Sequence, residues 1–268
     1  MLLGVLKPFA RNMVPMHWQV PAKYWYGQWR GTLEGEMKIL GSLIRGGERV
    51  IDVGGNRGIY AYRCWKLGAE IEVFEPNPVC VRVLQAWAAG KSNVRVHPVA
   101  LSDQTGVADL NIPIDEAGLE HDASASIEHV EFARARALRV DLRTLDSYAF
   151  GAVSLIKMDV EGHEYKVVDG ALGTIESNRP AILVEIEQRH IQRPIEEVFD
   201  KIKKIGYRGF FLDLNGLTKI ENFNPTRDQS LKNFAKRNAR YINNFLFLHE
   251  KKLNQGEYQA LQAGRFFR

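Results

Sequence analysis

Short β-branched runs alternating with longer helical stretches constrain this chain more than any other feature of its sequence. The runs are RVIDV (49–53), EIEVFE (70–75), NVRVHPVAL (93–101), VSLIKMD (153–159), AILVEIE (181–187), YRGFFLD (207–213) and INNFLFLHE (242–250). Helices are expected over 57–67, 77–89, 163–178 and 194–205, with Pro78 and Pro194 placed to suit first helical turns. Such alternation builds a parallel sheet covered by helices on both faces. Only a polar loop, 215–236, separates the last two runs, an order that permits a reversed final strand. A seven-stranded, mostly parallel α/β sheet with an antiparallel last strand is therefore expected. Residues 104–150 break the rhythm with a polar hairpin-like piece and a Ser-Ala segment, a candidate substrate loop.

A length of 268 residues accommodates one such domain with an appendage. Three regions are expected: an N-terminal helical and aromatic segment (1–48), the sheet domain (49–250) and a basic C-terminal extension (251–268). The net charge of +4 is concentrated late, because residues 221–268 carry nine Lys or Arg against four acids. So mild an excess does not call for nucleic acid, and no nucleic-acid partner is expected; one would use Lys232, Lys236, Arg237 and Arg240. No run approaches the ~20 apolar residues of a membrane span, and the N-terminus lacks a basic stretch before its short apolar segment. A cytoplasmic protein is expected, with peripheral membrane contact left open. Cys64 and Cys80 have no metal-ligand spacing and read as reduced core residues.

The chemistry begins where the first strand meets its helix, in VIDVGGNRGIY. Glycines in such a turn let the backbone approach a ligand at the carboxyl edge of the sheet. The dinucleotide fingerprint would require glycine at 54, 56 and 59, whereas the chain has Gly54, Asn56 and Ile59. Asp52, just before the turn, would repel a pyrophosphate and attract a cofactor bearing ammonium and sulfonium groups. S-adenosylmethionine carries both. Glu75 ends the second strand beside the turn, in VFEPNP, where a carboxylate can accept hydrogen bonds from two ribose hydroxyls.

IDVGGNRGIY, VFEPNP, VHPVALSDQTG, RTLDSY, LIKMDVEGHEYKVVDGA, ILVEIE and NNFLFLHE together resemble, in this order, the FkbM-type S-adenosylmethionine-dependent methyltransferases over roughly residues 49–250. Gly55 departs from the family pattern, which usually has alanine there. The resemblance implies a class I, Rossmann-like methyltransferase fold and methyl transfer to oxygen. The acceptor would be a carbohydrate hydroxyl, with a polyketide or other secondary-metabolite hydroxyl as the alternative. Carried over by position, Asp52, Gly54, Asn56 and Gly58 would surround the methionine part of the cofactor. Glu75, Pro76 and Asn77 would hold the ribose, and Ala100, Leu101, Ser102 and Asp103 the adenine.

Asp159, Glu161, His163 and Glu164 follow the strand LIKM at the same sheet edge. His163 is expected to be the general base that takes the acceptor's hydroxyl proton. Asp159 would anchor the cofactor's amino group, while Glu161 or Glu185 would orient the imidazole or bind a substrate hydroxyl. The Asp-x-Glu-x-His cluster suits magnesium as well, though no metal is expected. Trp18, Tyr24, Trp25, Tyr26 and Trp29 crowd residues 17–30 and would serve as a lid stacking on sugar rings or as a homodimer contact. His97, His121, His129 and His190 show no partner spacing. A domain that binds cofactor without turnover is the rival from another class.

Overall fold

The computed structural model describes residues 13–128, 134–213, 216–234 and 240–264. His129, Lys236 and Arg237 lie outside them, as do the first twelve residues and residues 265–268. Eleven strands are present among the described residues: β1 (Arg49–Val53), β2 (Glu70–Phe74), β3 (Val94–His97), β4 (Ala100–Leu101), β5 (Gly106–Pro113), β6 (Ala135–Arg143), β7 (Leu155–Met158), β8 (Ala181–Glu185), β9 (Tyr207–Asp213), β10 (Gly216–Lys219) and β11 (Asn244–His249). The principal helices are α1 (Met16–Arg30), α2 (Ile59–Lys66), α3 (Pro78–Ala88), α4 (Glu164–Asp169), α5 (Leu172–Asn178) and α6 (Ile195–Lys204).

The main sheet has eight strands in the order β10-β9-β11-β8-β7-β1-β2-β3. β11 runs antiparallel to both β8 and β9, so the reversed late strand is present. The expected count of seven is corrected to eight, because β10 folds back on β9 and adds a second reversed strand at the edge. Asn215-Gly216, within the stretch read as a loop, is a hairpin signal that could have placed this strand. β7, β8 and β11 are buried at nearly every position, as strands covered on both faces require.

Two further expectations change. The third run divides into β3, in the main sheet, and β4, which leaves it to join β5 and β6 in a separate three-stranded sheet. The helix expected over 163–178 is two helices. At Gly170 an added Cβ would stand 1.9 Å from the Ser102 carbonyl oxygen, so the chain here is pressed against the tip of β4. The second helix is then started afresh by the Asp146 carboxylate, which accepts hydrogen bonds from the amides of Gly173 and Thr174 at 2.9 and 2.7 Å.

α1 lies outside the sheet domain and packs on α2 and α3 through Val20, Pro21, Tyr24 and Gly27, its buried positions. Trp18, Trp25, Tyr26 and Trp29 stay exposed on its outer side. The aromatic segment is thus a docked helix; its residues do not form a loop folded over the sheet edge.

Candidate active site

The strand tips place two hollows side by side at the carboxyl edge of the sheet. The first, a narrow cleft of about 60 Å³, is lined by Val53, Gly54, Asn56, Phe74, Glu75, Pro76, Ala100, Leu101 and His163 among others. The second, of about 350 Å³, is walled chiefly by charged and amide side chains. Gly54, Asn56, Asp159 and Glu161 border both. They form the sill between the hollows.

The sill is a product of close backbone approach. Gly54 adopts φ +76°, and a Cβ there would stand 1.8 Å from the Asp159 carbonyl oxygen, so no other residue fits without moving that strand end. Asn56 and Glu161 also hold positive φ, at 45° and 51°, a strained conformation that clusters at functional sites. Gly55 is accounted for by its neighbour: an added Cβ would meet the Val73 Cγ1 at 2.2 Å, so the valine fills the space an alanine would take.

In the first hollow the Glu75 carboxylate accepts hydrogen bonds from the amides of Asn56 (2.6 Å) and Asn77 (2.7 Å). Burial outweighs those bonds and pushes its pKa up to about 7. Its two oxygens keep lone pairs for the hydroxyls of a ribose. Val53, Phe74, Ala100, Leu101 and Ile127 supply an apolar slot for a flat base. Beneath the turn, Asp52, expected on the cofactor side, borders the second hollow and not the first; it is buried with its Oδ2 lacking any hydrogen-bond partner, and burial raises its pKa to about 6. An orphaned carboxylate oxygen beside an acidic sill fits a cationic ligand. The donor set therefore matches the adenosine and the ammonium and sulfonium charges of S-adenosylmethionine.

Not every residue expected to touch the cofactor lines this hollow. Gly58 sits under the turn at the start of α2 against Leu84 and Val20. Asn77 caps α3, accepting from the Val79 amide at 3.0 Å, and donates to Asp122 at 3.1 Å. Ser102 donates to Asp103 at 2.9 Å, and neither lines a hollow. The β5–β6 insertion, expected to hold substrate, walls the cofactor side with Leu110, Asp122, Ala125 and Ile127 and reaches the second hollow only through Ser124; Asp122 is fastened by an ion pair to Arg57.

His163 also belongs to the first hollow. Its Nδ1 meets Glu128 at 2.5 Å and its Nε2 meets the Ser102 hydroxyl at 2.9 Å, so both ring nitrogens are occupied. The hydrogen bond from His163 holds Glu128 low, at about 2. His163 does not border the second hollow, whereas Asp159, Glu161 and Glu185 do.

The second hollow brings together residues that local sequence did not connect. Lys157, buried within β7, lies 3.3 Å from Asp159 and over the Tyr60 ring at 4.7 Å. Burial disfavours its charge, but Asp159, Glu185 and Glu34 overcome that and raise its pKa, so it is a fixed cation. Tyr60 donates to Glu34 at 2.5 Å, Asn243 to Glu185 at 2.5 Å, and Arg189 to Glu187 at 2.6 Å. Burial, then repulsion from Asp159, lifts Glu185 to about 9. Burial also raises Glu161, which is paired to His190 Nδ1 at 2.5 Å. Burial opposes the His190 cation and the bond to Glu161 more than restores it, leaving the histidine more basic than usual. His190 lines neither hollow but pairs with Glu161, a partnership its sequence neighbourhood concealed. Beside Asp159, Glu161 and Glu185, which the sequence already marked, a lysine in the apolar run LIKM is a further signal for this hollow. Among the described residues, no group of three His, Cys, Asp or Glu is arranged to hold a metal ion.

One measurement addresses the donor side. Glu75→Ala is expected to weaken S-adenosylmethionine binding by at least tenfold in titration calorimetry with the fold intact, since the ribose hydroxyls would lose the carboxylate assigned to them. In the unaltered protein the affinity should rise with pH up to about 7, where Glu75 becomes charged, and level off above it.

Residues 52–208 match the family described as "Methyltransferase FkbM domain". Among solved structures, a methyltransferase FkbM from Methylobacillus flagellatus is similar at TM-score 0.49 and 16% identity, covering 82% of this chain and 50% of that one. A TehB-like SAM-dependent methyltransferase from Corynebacterium glutamicum is similar at TM-score 0.41 and 12% identity, covering 86% of this chain and 100% of that one. The chain thus spans about half the length of the first of these structures. No curated protein matches it.

Proposed function

This chain belongs to the FkbM methyltransferase family, whose cofactor is S-adenosylmethionine, and on that premise we propose that it methylates a hydroxyl of a carbohydrate held in the second hollow. The observation that carries the reading is the shared sill of Gly54, Asn56, Asp159 and Glu161, across which a donor on one side meets an acceptor on the other. S-adenosylmethionine supplies, when bound, a methyl group on a positively charged sulfur. The protein must then hold an acceptor oxygen in line and remove its proton.

Glu161 is the residue placed to remove it. Glu161 borders both hollows, its raised pKa makes it a stronger base than an ordinary carboxylate, and His190 can steady the charge. Lys157, held by Asp159, offers a positive charge to an oxygen losing its proton. Glu34, Tyr60, Glu185, Glu187, Arg189 and Asn243 present both donors and acceptors around the same space. That inventory suits an acceptor with several hydroxyls better than the largely apolar surface of a polyketide. No helix among the described residues is long and apolar enough to cross a membrane.

The proposal is tested by incubating the protein with S-adenosylmethionine and a panel of neutral sugars, glycosides and polyketide alcohols, and following the mass gain of one methyl-for-hydrogen exchange. Transfer to sugar hydroxyls is the expected result. Transfer confined to polyketide alcohols would replace the acceptor class. Tight cofactor binding with no product from any acceptor would favour a domain without turnover.

A further inference from the structure

The outer side of α1 has no role in either hollow, yet its chemistry is distinctive. Trp18, Trp25 and Trp29 are spaced seven and four residues apart, so with Ala22 they form one stripe along the helix. They are 58%, 51% and 78% exposed, and Tyr26 beside them is 57% exposed. Met13 and Met16 extend the exposed apolar surface at the N-terminal end. A soluble surface rarely gathers so much large apolar area on one element without a partner.

The charge distribution says which partner. Residues 1–33 contain four Lys or Arg and no Asp or Glu, whereas residues 34–220 carry 23 Lys or Arg against 28 acids. The aromatic element is therefore cationic while the domain beneath it is acidic. Cations flank the stripe in the structure as well. The Lys66 ammonium lies 4.6 Å from the Trp25 ring centre, Arg30 is exposed at the helix end, and Lys91 stands 5.4 Å from both the Trp65 and Trp87 rings. Between stripe and lysine runs a groove lined by Trp18, Pro21, Tyr62, Trp65 and Trp87.

We propose that this face of α1 docks on the surface of a bilayer containing anionic phospholipid, with the helix lying in the interfacial plane. Tryptophan and tyrosine partition to the headgroup level because one edge of the ring is apolar and the other polar. Lysine and arginine beside them meet the lipid phosphates, each contributing roughly fivefold to binding at an anionic surface. A polar-faced protein partner would match neither the apolar stripe nor the absence of acids. α1 also ends beside the second hollow, which Lys23, Thr32 and Leu33 border. Docking brings that rim to the membrane, where a lipid-linked acceptor would be presented. This last consequence rests on the function proposed above; the docking itself does not.

The test is co-sedimentation of the full chain with vesicles of phosphatidylcholine alone and of phosphatidylcholine with about a third phosphatidylglycerol, at low and physiological salt. Binding to the anionic vesicles is expected, at least tenfold weaker on neutral ones, with a blue shift of tryptophan emission. Trp18→Ser with Trp29→Ser should reduce binding at least tenfold with an unchanged circular-dichroism spectrum. Arg30→Gln with Lys66→Gln should reduce it on anionic vesicles by roughly twentyfold and leave the neutral ones unaffected. The charge pair keeps the test valid should the tryptophan pair misfold. Failure of the unaltered chain to sediment with anionic vesicles overturns the proposal, as does binding that neither pair weakens. So does a concentration-dependent dimer, abolished by the tryptophan pair, in a chain that ignores vesicles: the stripe is then a contact between two copies. None of these readouts requires methyl transfer, so a failed acceptor assay leaves the docking result standing on its own.

Discussion

Glu161→Gln is expected to lower kcat by about 10²–10⁴-fold while leaving the dissociation constant of S-adenosylmethionine nearly unchanged. Glutamine keeps the length of the side chain and can still accept a hydrogen bond from His190, so the substitution removes the ability to take a proton and little else. Single-turnover methyl transfer, read by mass, measures the step directly. His163→Ala is the informative comparison. The sequence made that histidine the expected base, but its two nitrogens are held by Glu128 and Ser102 on the cofactor side. Its loss should loosen Glu128 and the Ser102 turn, and show as weaker cofactor binding more than as slower chemistry. A kcat that collapses in His163→Ala and survives in Glu161→Gln would return the role of base to the histidine.

Gly54→Ala should be at least as damaging, for a different reason. The new Cβ would overlap the Asp159 carbonyl oxygen at 1.8 Å, and the backbone at φ +76° is one that alanine resists. The clash can be relieved only by separating β1 from the segment after β7, which opens the sill on which both hollows depend. A loss of about 2–4 kcal/mol in stability is expected, with S-adenosylmethionine affinity falling at least a hundredfold. Gly90→Ala separates the two causes. Gly90 has φ +78° but nothing within 4 Å of an added Cβ, so it should cost only the ~1–2 kcal/mol of a left-handed alanine. Urea denaturation of both variants, with calorimetry for the cofactor, tests the difference. Equal losses at the two positions would mean that close packing at Gly54 is unimportant.

Much of the donor side was legible in the sequence because its chemistry is local. Asp52, Gly54 and Asn56 lie within one turn, and Glu75 ends the next strand, so parallel pairing of β1 with β2 brings them together. Period and turn chemistry could not show which of the neighbouring residues face the ligand. Gly58, Asn77 and Ser102 occupy the expected segments but serve packing, capping and hydrogen bonding. The acceptor side was mostly hidden. Glu34, Tyr60, Lys157, Arg189 and Asn243 come from separate stretches, and no spacing rule links a residue before the first strand to one beside the last. The extra strand β10 is hard to read because its stretch is polar and the Asn215-Gly216 pair is its single local signal.

Asn244 donates to Glu34, 210 positions earlier in the chain, at 3.2 Å. Through that bond the opening segment and the closing strand meet at the hollow assigned to the acceptor, while the cofactor's hollow is assembled almost wholly from the middle of the chain. The second hollow thus draws on both ends of the chain as well as its middle, whereas the first draws on the middle alone. On the acceptor role proposed for that hollow, drift near Glu34 or Asn243 would reshape it while leaving the first hollow untouched, and a library confined to those two stretches would be the economical way to alter it.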